Sequence, residues 1–144
     1  MADAYPRFRS VVLDTTDPRG LAEFYRRLLG YVYREGDAID VADEADPPDW
    51  LVLLDPASGM RLAFQGVETL PRSTWPSTAV PQQLHLDFSV ATAVELTAQH
   101  NRALGLGAHL LLDRFDDPDE PLYVYADPAG HPVCIFVAGE TSVP

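Results

Sequence analysis

Trp50–Gln65 reads WLVLLDPASGMRLAFQ and Tyr123–Val137 reads YVYADPAGHPVCIFV. Each stretch is a β-rich run, an Asp-Pro-Ala turn (Asp55-Pro56-Ala57 and Asp127-Pro128-Ala129), a glycine (Gly59, Gly130) and a second β-rich run. Upstream of each lies an alternating segment followed by a helix-like one: RFRSVVLD then PRGLAEFYRRLLG, and QLHLDFSV then ATAVELTAQHNRALG. A unit of strand, helix and further strands therefore occurs twice in one chain. Such a duplicated unit is expected to pack on itself and to keep its chemistry in the groove between the copies.

In the first copy, Phe8–Asp14 reads as a strand. Thr15, Thr16 and Asp17 offer N-cap oxygens, Pro18 suits a first helical turn, and Gly30 follows the last periodic residue. Leu21, Phe24, Tyr25, Leu28 and Leu29 recur at three- and four-residue spacing and mark a buried helix face. A short strand at Tyr31–Arg34 and the hairpin of Trp50–Leu54 with Met60–Gln65 complete the copy. The second copy reads as strand Gln83–Val90, helix Thr92–Leu104, and strands Ala108–Leu112, Leu122–Ala126 and Val133–Val137, with a tail beyond Ala138. The proline-containing segment Val67–Pro81 lacks apolar periodicity and separates module 7–66 from module 82–138. The pattern predicts an α+β domain of two βαβββ modules whose curved, mainly antiparallel mixed sheets surround a concave cavity, with the helices outside.

With nearly half of its 144 residues hydrophobic, the chain can bury a real core. No apolar run approaches the roughly 20 residues that span a bilayer, and MADAYPRFRS lacks a signal peptide's apolar centre, so a cytoplasmic setting is expected. The single cysteine, Cys134, excludes an internal disulfide and a multi-cysteine zinc site. A formal charge of −12 argues against nucleic acid and anionic membrane as partners. Its acidic residues crowd into GDAIDVADEADPPD and DRFDDPDEP, which read as solvated loops, and the second lacks the spacing of an EF-hand.

Alternation along the strands assigns faces. Leu84, Leu86, Phe88 and Val90 share the face that must cover a helix, which leaves His85, Asp87 and Ser89 on the concave side. By the same logic Ser10, Val12 and Asp14, then Arg61, Ala63 and Gln65, then Pro132, Cys134 and Phe136 face the concavity.

The phrases DTTDPRGLAEFYRRLLGY, HLDFSV and DPAGHPVCIF, in this order over Phe8–Val137, resemble the vicinal oxygen chelate superfamily, the glyoxalase, bleomycin-resistance and dioxygenase group. More narrowly, LAFQ, HLDF and DPAGHPVCIF are similar to the glyoxalase-like proteins of actinobacterial type. The resemblance implies a fold of paired βαβββ modules, and in metal-dependent members four ligands on the inner faces of four strands. Carried over by position, those ligands fall on Ser10, Ala63, His85 and Cys134. Only His85 is a typical ligand, so no cofactor is expected. Zinc is the one ion that a reduced set of His85, Cys134, Gln65 and Asp87 would suit.

Without a metal, the concave face offers Arg61 to clamp a carboxylate, Gln65 and His85 for hydrogen bonds, and aromatic walls from Trp50, Trp75, Tyr123 and Phe136. His85 reads equally as a histidine bonded to Asp87 or water and as a ligand contact. Cys134 reads as a small apolar filler. The leading expectation is a protein that binds a small organic molecule, or an enzyme that uses His85 as acid or base with Asp87 orienting it. The alternatives are a metal-dependent lyase, isomerase or dioxygenase of the superfamily, and a drug-sequestering resistance protein of bleomycin type. A homodimer is expected from the resemblance.

Overall fold

The computed structural model describes residues 4–139. The chain divides between Glu68 and Thr69 into two compact units. Among the described residues the architecture is α+β, with two helices and two four-stranded mixed sheets. The tail expected beyond Ala138 lies, from residue 140 on, outside the described residues.

The first module runs β1 (Val11–Thr15), α1 (Pro18–Leu29), β2 (Val32–Tyr33), β3 (Trp50–Leu54) and β4 (Arg61–Gly66). The second runs β5 (Leu86–Val90), α2 (Ala93–Gly105), β6 (His109–Arg114), β7 (Leu122–Ala126) and β8 (Pro132–Val137). The sheets have the same order, β1-β4-β3-β2 and β5-β8-β7-β6, and in each the first strand pairs in parallel with the last while the other pairs are antiparallel. The repeat read in the sequence is thus a repeat of topology.

The shared Asp-Pro-Ala turns explain why the two hairpins close alike. Asp55 Oδ1 accepts from the Ala57 N–H at 2.9 Å, and Asp127 Oδ1 accepts from the Ala129 N–H at 2.9 Å and the His131 N–H at 3.0 Å. A short side chain that bonds its own backbone two residues on replaces a turn of main-chain hydrogen bonds. Gly59 and Gly130 then take φ of 75° and 97°, a region that side chains with a Cβ avoid. Asp127 is fully buried, so its turn is part of the second module's core.

Each helix covers one face of its own sheet. Asp17 caps α1 by accepting from the Gly20 N–H at 3.0 Å, and Gly30 ends it in the left-handed conformation at φ 72°. Leu21, Phe24, Tyr25 and Leu28 are buried, and the Tyr25 ring stacks on Phe64 of β4 at 5.9 Å. In α2, Thr92 and Glu95 form a reciprocal capping box, and Leu96 and Ala103 are buried in the second core, where the helix packs on β8 and β5. On the same side, the His100 ring stacks on Tyr123 at 3.9 Å and its Nδ1 lies 2.7 Å from the Tyr125 hydroxyl.

The structure differs from the sequence reading at several points, of which three bear on the site or its surroundings. β5 starts at Leu86 rather than Gln83, because its partner β8 meets it only from Val133 onward. The first acidic loop is anchored rather than freely solvated: Arg19 Nε reaches Asp43 at 2.7 Å, its guanidinium lies 4.9 Å from the Tyr33 ring centre, and Val41–Glu44 forms a 3₁₀ turn. Most of the segment read as a linker belongs to the second module. Arg72 Nη1 donates to the Pro128 carbonyl at 2.9 Å and its side chain fills the space beside Gly130.

Candidate functional site

The sheet of the second module carries a cavity of about 220 Å³ on the face away from α2. Register explains its floor. Asp87 pairs with Cys134, Cys134 with Val124, and Val124 with Leu112, so four side chains form a row across all four strands. His85 and Pro132 lie one pleat to one side of this row, and Leu122 with its partner Arg114 one pleat to the other. Trp75 and Gln82, from the segment that docks through Arg72, line the cavity too.

Arg114 reaches this face through an irregularity. The β6–β7 register shifts between Leu110 and Leu112, so Leu111 is an extra residue in its strand. A β-bulge re-aims the side chains that follow it. Here it sets Leu112 opposite Val124 and Arg114 opposite Leu122.

The polar groups are few. His85 Nε2 lies 3.4 Å from Asp87 Oδ1, and both side chains are about half exposed, at 50% and 55%. The Cys134 thiol is pushed up to about 11 by burial, helped by the nearby carboxylates Asp87 and Glu120, so it is a neutral thiol at physiological pH. The Gln82 Oε1 atom is buried without a hydrogen-bond partner. A few polar groups set among apolar walls is the composition of a small-molecule site.

Of the residues expected at the site, the structure brings His85, Asp87 and Trp75 together with Cys134. Phe136 is on the same face, between Ser89 and Leu122 in the register, outside the cavity lining. Tyr123, expected among the site's aromatics, instead lies on the helix side between His100 and Phe115, because Leu122 and Val124 are the residues of β7 that face the cavity. In the first module, Trp50 and Gln65 line a wider concavity of about 600 Å³ with Pro47, Pro48 and Glu68. Arg61 is half-buried at the start of β4, four residues before Gln65, outside that lining.

Gln82 and Arg114 were not read from the sequence. Gln82 is the first residue of the second module, one position before the expected start of its strand, and Arg114 lies beyond the expected end of its strand. No local signal marks the bulge that brings in Arg114.

The residues at the superfamily's ligand positions do not fit its Mn²⁺-, Fe²⁺- or Ni²⁺-type ions. Ala63 is fully buried, has Val12 and Val52 as register neighbours, and carries only a methyl group. Ser10 offers a hydroxyl and Cys134 a thiol that holds its proton, whereas these ions want carboxylate and imidazole donors together. Among the described residues, no three His, Cys, Asp or Glu side chains are placed to hold a metal.

Two βαβββ modules with this strand order define a protein of the vicinal oxygen chelate class. A family model agrees over residues 10–136, and the chain belongs to the glyoxalase-like domain family. Solved structures share the fold. A glyoxalase/bleomycin resistance protein/dioxygenase family enzyme from Burkholderia phytofirmans PsJN is 18% identical at a TM-score of 0.65, covering 89% of this chain and 95% of its own. A glyoxalase/dioxygenase from Nostoc punctiforme is 15% identical at 0.67, covering 97% and 99%. The fosfomycin resistance protein FosX from Listeria monocytogenes is 12% identical at 0.66, covering 95% and 97%. A comparison with curated protein sequences finds no match. No described helix is long and apolar enough to cross a membrane.

Proposed function

We propose that this chain binds a small organic molecule in the cavity of its second module and moves a proton on it through His85, without a metal ion of the superfamily's usual kind. The observation that carries this reading is the His85–Asp87 pair at 3.4 Å, set at one side of a mostly apolar cavity. Asp87 stands close enough to Nε2 to accept a hydrogen bond from its N–H once a ligand draws the pair together, which would leave Nδ1 to accept a proton from the ligand. The carboxylate then stabilises the imidazolium that results. Pairs of this kind are often long in the absence of substrate and tighten when it binds.

The test is a screen of small acids, amines, alcohols and amides against isotopically labelled protein, read by NMR. Bound fragments should shift resonances of His85, Asp87, Val124 and Cys134 as a cluster. His85→Ala should weaken their binding by about 1–3 kcal/mol, the cost of one or two hydrogen bonds, and leave thermal stability nearly unchanged. Leu96→Ala, a truncation under the sheet's other face where Leu96 is 0% exposed, should do the reverse and cost roughly 2–5 kcal/mol of stability. Fragments that bind without perturbing the cavity, or whose affinity ignores His85, would place the function elsewhere.

A further inference from the structure

We infer that the cavity takes a short dipolar ligand: an apolar body of a few carbons with a carboxylate at one end and an N–H donor, best an ammonium, at the other. The inference rests on the reading of this cavity as the binding site and adds the chemical class of its occupant. The strand order places the polar groups at opposite edges of the floor. Asp87 and the neighbouring His85 belong to the β5 edge, and Arg114 belongs to β6, the other edge strand. Three strand spacings across the sheet and one pleat along it, about 16 Å of backbone, separate Asp87 from Arg114, a span that the long arginine side chain shortens. Between them lie Cys134, Val124 and Leu122, a neutral thiol and two hydrocarbon side chains.

Each end asks for a different partner. At the β5 end, the Asp87 carboxylate is half exposed, and Gln82, three residues before His85, holds a buried acceptor with no donor. A buried acceptor left unpaired is unfavourable, and a ligand N–H would satisfy it. At the β6 end, Arg114 lines the cavity; its guanidinium makes no side-chain hydrogen bond or close ion pair among the described residues, and its charge also acts on the Asp117 carboxylate. A guanidinium binds a carboxylate through two parallel N–H···O bonds, which fixes orientation as well as charge.

Size and charge narrow the class. At about 220 Å³ the cavity is smaller than the sites that take drug-sized molecules, so its ligand is small. The chain carries a formal charge of −12, whose field repels a simple anion. A zwitterion has no net charge to repel, and its two ends match the two edges.

The test is calorimetric titration of the full chain with 5-aminopentanoate, pentanoate and pentylamine, with pentanol as the neutral control. 5-Aminopentanoate should bind at least tenfold more tightly than any of the others. Arg114→Gln should remove its advantage over pentylamine. Gln82→Leu should remove its advantage over pentanoate, while Gln82→Glu, which keeps an acceptor there, should preserve it. Equal binding of all four with resonance shifts in the cavity would overturn the dipolar class and leave the cavity as the site. Shifts in the cavity from none of the four would overturn the inference, and the broader fragment screen would then decide the site itself. A preference that survives both Arg114→Gln and Gln82→Leu would show that other residues make it.

Discussion

At the scale of single residues, Cys134 gives the plainest chemical expectation. Burial holds its proton until about pH 11, whereas a free thiol ionises near 8.5. Between those values the folded chain keeps a proton that the unfolded chain has released, so this residue's contribution to stability falls as pH rises through that window. Alkylation by iodoacetamide should accordingly be slow at pH 8 and climb until about pH 11. A rate that levels off below pH 9 would show a thiolate stabilised at the site and reopen the thiol as a nucleophile. Alternation alone had placed His85, Asp87 and Cys134 on one face, because strand parity is a property of the local chain. Gln82 escaped, since its place depends on Arg72 reaching carbonyls 55 and 56 residues further on, which no local pattern encodes.

At the scale of elements, the helices were legible from end to end because their stop signals are chemical groups in the sequence. The structure uses the first helix's signals as read, with Asp17 as cap and Gly30 at φ 72°; in the second, Thr92, read as the first helical residue, is the cap. Thr92→Ala should therefore cost about 1 kcal/mol by removing half of the capping box. Gly30→Ala should cost roughly 1–2 kcal/mol by forcing a Cβ into the left-handed region. Urea unfolding should show both as a lower midpoint at unchanged slope, and a changed slope would mean that the effect lies in the denatured state. Strand ends were read less well. A strand ends where its ladder ends, and the partner is chosen by topology: β5 pairs with β8 only from Leu86↔Val133, and the next residue of β8 is Pro132, which has no N–H to continue the ladder. The first acidic loop is held by residues distant in sequence: Arg19 on a helix meets Asp43 24 residues later, and the Val52 N–H donates to Asp37.

At the scale of the whole molecule, the repeated hairpin turn was enough to predict two modules of one topology, and both sheets have the same strand order. We propose that the chain associates as a homodimer. The edge strands β1, β2 and β6 expose Val12, Val32 and Leu110 at 37%, 49% and 42%, and bare apolar edges favour association. Sedimentation velocity at micromolar concentrations should give twice the mass of one chain, and a single-chain mass throughout that range would argue for a monomer. The bulge at Leu111 bears on how members of this family can diverge. Were β6 and β7 laddered regularly from Leu110↔Tyr125, Asp113 rather than Arg114 would stand opposite Leu122. The polarity of the cavity's far end is therefore decided by a count of residues as well as by their identity. A relative one residue shorter or longer in this strand could exchange an anion receptor for a cation receptor without a single substitution among the residues that line it.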